Sequence, residues 1–155
     1  MKNTPKILSS LFALLFTSSV TAASPTRAEG EKFLKENAGK KGVVTTKSGL
    51  QYIEVKKGTG KVHPKPTDVV RVDYEGTLIN GTVFDGTKGR KPAEFPLNRV
   101  IPGWTEGLQL MTEGAEYKFF IPSNLAYGEN QVSNEIVPGS TLIFTVTLHK
   151  ILGPS

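Results

Sequence analysis

The chain has 155 residues, 37% of them hydrophobic and 21% charged, which is enough apolar material for one packed domain and excludes disorder along the whole length. It contains no cysteine, so disulfide frameworks, thiol catalysis and thiolate metal sites are excluded together. Lys and Arg number 19 against 14 Asp and Glu, a net charge of +5, but the two signs are interleaved, so charge decides neither for nor against nucleic acid, and no nucleic-acid partner is expected.

The chain opens like a secretion signal. Lys2 and Lys6 form a basic start, and Ile7 to Val20 is apolar apart from small hydroxyl residues. Val20 and Ala22 then fit the −3 and −1 positions of a signal peptidase site, so residues 1–22 read as a signal peptide. The apolar core is shorter than the ~20 residues a membrane span needs. Without cysteine there is no lipoprotein linkage either, and no membrane anchor is expected. Cleavage would remove two lysines and lower the charge from +5 to +3. The expected location is exported, periplasmic or secreted.

Residues 23–42 read as a short leader. Ser24 to Ala28 is polar, and Glu29 to Ala38 has the makings of a helix with Phe33 and Leu34 as its apolar residues and Gly39 as its stop. So short a helix is expected to bury little. The domain proper is expected over residues 43–155. Val43–Thr46 and Leu50–Lys57 are strand-like, separated at Ser48-Gly49. Val69–Ile79 alternates, with Val70, Val72, Tyr74 and Gly76 on one side. Asn80-Gly81 is a hairpin signal that returns the chain into Thr82–Asp85.

Glu94–Leu97 is a further short strand. Ile101-Pro102-Gly103-Trp104 starts a helix with Trp104, Leu108 and Met111 on one face, ended by Glu113-Gly114. Ala115–Ile121 and the alternating Leu142–Leu152 complete the strands. The expected fold class is α+β: a curved antiparallel half-barrel sheet wrapped around one short helix.

Reactive groups are scarce. No serine sits in a G-x-S-x-G turn, no phosphate-binding loop is present, and neither His63 nor His149 has a metal-pair spacing. Asp85 lies among aromatics and glycines without an evident acid–base partner, and a plain turn role fits it as well. Tyr74, Phe84, Phe95, Trp104, Tyr127 and Phe144 come from different segments and form an aromatic set without nucleophiles. Such sets are most often core. Read from the residues alone, the chain is a small exported α+β domain whose aromatics form either core or the lining of an apolar pocket.

Five segments in order go further. Val72-Asp73-Tyr74-Glu75-Gly76-Thr77-Leu78, Gly81-Thr82-Val83-Phe84-Asp85, Val100-Ile101-Pro102-Gly103-Trp104, Leu125-Ala126-Tyr127-Gly128 and Ile136–Phe144 together resemble an FKBP-type peptidyl-prolyl cis-trans isomerase. Gly30–Leu34 and Thr46–Tyr52 resemble the secreted bacterial subgroup typified by the macrophage infectivity potentiator. The resemblance runs from about Gly30 to Leu152.

The resemblance implies catalytic roles for Tyr74, Asp85, Ile101 and Tyr127, and substrate contacts from Phe84, Phe95, Val100, Trp104, Val137 and Phe144. Trp104 would be the pocket floor, Tyr74, Phe84 and Phe144 its walls, and Val100 and Ile101 its rim. The Ile101 N–H and Tyr127 hydroxyl would hold substrate carbonyls. Asp85 would hydrogen-bond Tyr74 and lie near Arg90. The implied activity is rotation about Xaa-Pro bonds in folding exported proteins, with no metal and no cofactor. The alternative is a non-catalytic chaperone or adaptor that binds proline peptides. The resemblance also implies a macrolide inhibitor, and a monomeric state is expected because the long N-terminal helical region of the subgroup is absent or vestigial.

Overall fold

The computed structural model describes residues 24–155, so the signal-peptide reading of residues 1–22 lies outside the described residues. The leader helix is longer than its apolar residues suggest. Ser24 accepts from the Arg27 N–H through its hydroxyl, and Pro25 occupies the first helical turn, where no amide donor is needed. Helix α1 therefore spans Pro25–Asn37 and begins four residues before the expected Glu29. It also buries more than expected. Gly30, Leu34 and Asn37 are buried, and the Phe33 ring lies 6.0 Å from that of Phe120.

Seven antiparallel strands form one sheet: β1 (Val44–Thr45), β2 (Gln51–Lys56), β3 (Asp68–Leu78), β4 (Val83–Gly86), β5 (Ala93–Pro96), β6 (Glu116–Ile121) and β7 (Leu142–Pro154). Their spatial order is β1-β2-β6-β7-β3-β4, and β5 shares with β4 the outer edge of β3. The period-2 pattern of half-buried strands is kept where it was read. Val70 and Val72 on β3 and Leu142, Val146 and Leu148 on β7 are fully buried, while Arg71, Asp73, Thr145 and Thr147 face outward. The β3–β4 turn closes with the Asn80 carboxamide accepting from the Thr82 N–H at 2.9 Å, and Gly81 takes a positive φ of 91°.

Phe120 breaks the alternation of β6: Phe119, Phe120 and Ile121 are all buried. The reason is α1, which covers the outer face of the sheet. A buried pair locks it there, since Asn37 Nδ2 donates to Gln51 Oε1 and Gln51 Nε2 donates to the Leu34 carbonyl, both at 2.8 Å.

The inner, concave face holds helix α2 (Pro102–Leu108). It ends earlier than the sequence suggested. The Met111 N–H donates to the Leu108 carbonyl in a turn beyond the helix, and that turn delivers Met111 into the core beside Trp104 and Leu108. Among the described residues, no helix is long and apolar enough to cross a membrane.

Candidate functional site

Between α2 and the concave sheet face lies a cavity of about 410 Å³, lined by Tyr74, Asp85, Phe95, Arg99, Val100, Ile101, Trp104, Tyr127 and Phe144. Its construction follows from the strand period. Tyr74 continues the inward row of Val70 and Val72 on β3, and Phe144 continues that of Val146 and Leu148 on β7. Trp104 rises from the first turn of α2, where Pro102 sets the start of the helix.

Three rings surround the Trp104 indole edge-on. The Tyr74 centroid lies at 5.2 Å and 88°, that of Phe144 at 5.3 Å and 86°, and that of Phe95 at 5.5 Å and 89°. Edge-to-face pairs of this kind contribute about 0.5–1.5 kcal/mol each beyond area burial. The indole is only 4% exposed, and its Nε1 is a buried donor without a partner among the described residues. The floor is therefore a buried, apolar surface.

The polar groups lie at one side and along the rim. The Tyr74 hydroxyl donates to Asp85 Oδ2 at 2.8 Å, and Asp85 Oδ1 accepts from the Gly86 N–H at 2.8 Å. Burial, then the bond to Asp85 and its charge, push the Tyr74 hydroxyl up to about 12, so it remains a donor across the physiological range. The Ile101 carbonyl accepts from Trp104 N and Thr105 N, while its own N–H has no acceptor among the described residues. The Tyr127 side chain is 38% exposed, and its hydroxyl has no partner among the described residues. Two donors thus remain available beside an apolar floor.

Eight of the ten residues expected at the site line this cavity. Phe84 does not. Its ring packs against Phe144 at 5.5 Å and 86°, above Gly76, where any Cβ would lie 2.7 Å from both rings. Phe84 thus stands against the Phe144 wall, outside the lining of this cavity. Val137 is also elsewhere, in a neighbouring cleft with Thr26, Glu29, Leu78 and Ser140. The turn at Pro138–Ser140, where Gly139 N donates to the Gly128 carbonyl, carries it to that side.

Arg90 forms no ion pair with Asp85 among the described residues, although its charge acts on Tyr74. Arg99 lines the cavity and was not expected there. The only signal for it is its place directly before Val100-Ile101. Among the described residues, no three His, Asp or Glu side chains converge as a metal site would.

Chemically, the cavity can take up a small apolar ring, strip water from the groups beside it and offer hydrogen bonds to carbonyl oxygens. Its lining contains no serine, cysteine, histidine or lysine.

Comparison with known proteins agrees with this geometry. Residues 60–149 match the family described as FKBP-type peptidyl-prolyl cis-trans isomerase, and residues 4–53 match the domain amino terminal to FKBP-type peptidyl-prolyl isomerase. A probable FKBP-type peptidyl-prolyl cis-trans isomerase, FkpA, of Neisseria meningitidis is 56% identical over 133 residues, 85% of this chain and 48% of the relative. The outer membrane protein MIP of Legionella longbeachae is 50% identical over 127 residues, 81% of this chain and 54% of the relative. The chain thus spans about half the length of these curated relatives. The crystal structure of a peptidyl-prolyl cis-trans isomerase from Pseudomonas syringae pv. tomato superimposes with a TM-score of 0.77 at 33% identity, covering 84% of this chain and 98% of that one. The sheet, the aromatic cavity and these matches agree: the chain belongs to the FKBP-type peptidyl-prolyl cis-trans isomerase family.

Proposed function

We propose that this chain catalyses cis–trans rotation about Xaa-Pro peptide bonds. The observation that carries this reading is the buried Trp104 floor, walled edge-on by three rings, with two unengaged donors at its rim. Rotation breaks no covalent bond. Its barrier of ~18–20 kcal/mol comes from amide resonance, which separates charge between oxygen and nitrogen. A pocket that removes water from the amide favours the twisted, less charge-separated transition state, and each ~1.4 kcal/mol removed is tenfold in rate.

In this reading the pyrrolidine ring lies on Trp104, between Tyr74 and Phe144, with Phe95, Val100 and Ile101 closing the sides. The Ile101 N–H and the Tyr127 hydroxyl hold substrate carbonyls. Asp85 fixes the Tyr74 hydroxyl. The substrates are proline-containing segments of unfolded exported proteins, met in the periplasm or outside the cell. The protein works as a monomer, and a macrolide that fills the same pocket inhibits it.

A protease-coupled assay on a short Xaa-Pro peptide tests the activity. Acceleration that a macrolide abolishes is the expected result. Peptide binding without acceleration would leave only the binding-module reading. Light scattering at micromolar concentration tests the monomer, and a dimer mass would overturn it.

A further inference from the structure

Tyr74 gives the pocket both a ring and a hydroxyl, so the placement of its backbone sets both. One residue outside the cavity lining grips that backbone twice. Thr87 Oγ1 accepts from the Tyr74 N–H at 3.1 Å, and the Thr87 N–H donates to the Tyr74 carbonyl at 2.9 Å. Thr87 is buried and stands two residues after Asp85. A closed circuit results. It runs from the Tyr74 hydroxyl to Asp85, along the chain through Gly86 to Thr87, and back to the Tyr74 backbone.

A hydroxyl that accepts from an N–H must send its own proton elsewhere. That of Thr87 goes to Asp73 Oδ1 at 2.7 Å. The second Asp73 oxygen lies 2.6 Å from His149 Nε2, which β7 presents 76 residues away in the chain. Asp73 therefore fixes the Thr87 rotor with a lone pair toward Tyr74, and His149 fixes Asp73. The circuit joins two polar residues of the pocket, Tyr74 and Asp85.

We infer that Thr87, oriented by Asp73 and His149, is a positioning residue that sets Tyr74 and Asp85 against the Trp104 floor. Its effect on turnover rests on the isomerase reading, whereas its effect on the Tyr74–Trp104 geometry does not. Hydrogen bonds from Thr87 first and His149 second hold the Asp73 carboxyl below its usual range, so near neutral pH it is an anion that only accepts.

The test compares the full chain with Thr87→Val, which keeps the shape and loses both hydroxyl bonds, and Thr87→Ser, which keeps the hydroxyl. Each is assayed where circular dichroism shows it folded. Two quantities are read: kcat and KM on an Xaa-Pro peptide, and emission from Trp104, the single tryptophan, which packs edge-on to Tyr74. In Thr87→Val, kcat falls at least fivefold with a smaller change in KM, and the Trp104 emission shifts. Thr87→Ser stays within twofold of the parent and keeps its emission. A folded Thr87→Val variant with kcat/KM within twofold of the parent, or with unshifted emission, overturns the inference. So does an equal loss in both variants.

If the parent itself does not isomerise, the isomerase reading fails, and the emission pair alone decides the positioning role. If Thr87→Val does not fold, Asp73→Leu and Asp73→Asn replace it. The asparagine still accepts from the Thr87 hydroxyl and should keep activity and emission, while the leucine should lose both. Equal behaviour of the two overturns the inference.

Discussion

Replacing Asp85 with leucine removes the acceptor of two hydrogen bonds, from the Tyr74 hydroxyl and the Gly86 N–H, both at 2.8 Å. Asp85 is exposed, so both donors can turn to water, and the net loss falls toward the low end of the usual range, about 1–2 kcal/mol in all. For a domain of this size that lowers the denaturation midpoint by about 4–7 °C. The functional loss should be larger than the stability loss explains. Without its acceptor, the Tyr74 hydroxyl no longer has a fixed direction at the edge of the Trp104 floor. About 1.4 kcal/mol of transition-state stabilisation lost there is a tenfold fall in kcat/KM. Asp85→Asn keeps a carbonyl acceptor and should stay within about threefold of the parent by the same arithmetic. A denaturation midpoint and an isomerase rate from one preparation, at a temperature where the variant is fully folded, decide the matter. If folded Asp85→Leu retains full kcat/KM, Asp85 is a turn residue and the pocket account of it is wrong.

Three further outcomes follow from packing and titration. Gly107→Ala on α2 sets a Cβ 2.6 Å from Cε1 of the fully buried Phe119, so overpacking of about 1–3 kcal/mol outweighs a helix-propensity gain of up to about 1 kcal/mol. Its midpoint should drop in thermal denaturation, and a rise would contradict the packing. Gly30→Ala drives a Cβ into the Thr141 side chain and should loosen α1, with Thr141→Ala in the same chain recovering most of the loss in urea denaturation; no recovery would place the fault elsewhere. Tyr74 and Tyr117 are both pushed up to about 12, by burial first and then by their bonds to Asp85 and Glu54. The folded state thus holds protons that the unfolded chain gives up near pH 10, so this stability is complete below pH 10 and falls as pH rises toward 12. A flat unfolding free energy across that window would refute the burial of these hydroxyls.

The sequence carried the strand pattern well because β3 and β7 are buried on one face, and period-2 alternation records that directly. It carried α1 poorly. The helix starts on a cap and a proline, Ser24-Pro25, which lie outside the apolar residues that mark a helix face. Its burial depends on Phe120 and Gln51, contributed by distant strands. The aromatics of the cavity stood out in the sequence as a set, but carried no reactive signature, so whether they formed core or pocket, and the places of Asp85, Val100 and Ile101 beside them, came only with the family resemblance.

Val137, which the resemblance implies at the pocket, borders the neighbouring cleft beside Leu78 and Ser140, a placement that depends on the path of the Gly128–Ser140 loop. The Thr87 circuit left no trace at all. It is assembled from Asp73, Thr87 and His149, and no local spacing links residues so far apart in the chain.

On the proposed function, this aromatic cavity speeds the rotation of a prolyl bond without making or breaking a covalent bond. Exchange spectroscopy by NMR tests it most directly, using a short Xaa-Pro peptide whose cis and trans forms give separate resonances. Uncatalysed, the two forms interconvert over roughly tens to hundreds of seconds. With a catalytic amount of this protein, exchange cross-peaks should appear on a sub-second timescale and vanish when a macrolide fills the cavity. Peptide shifts that report binding at Trp104, with no exchange between the cis and trans resonances, would contradict the account.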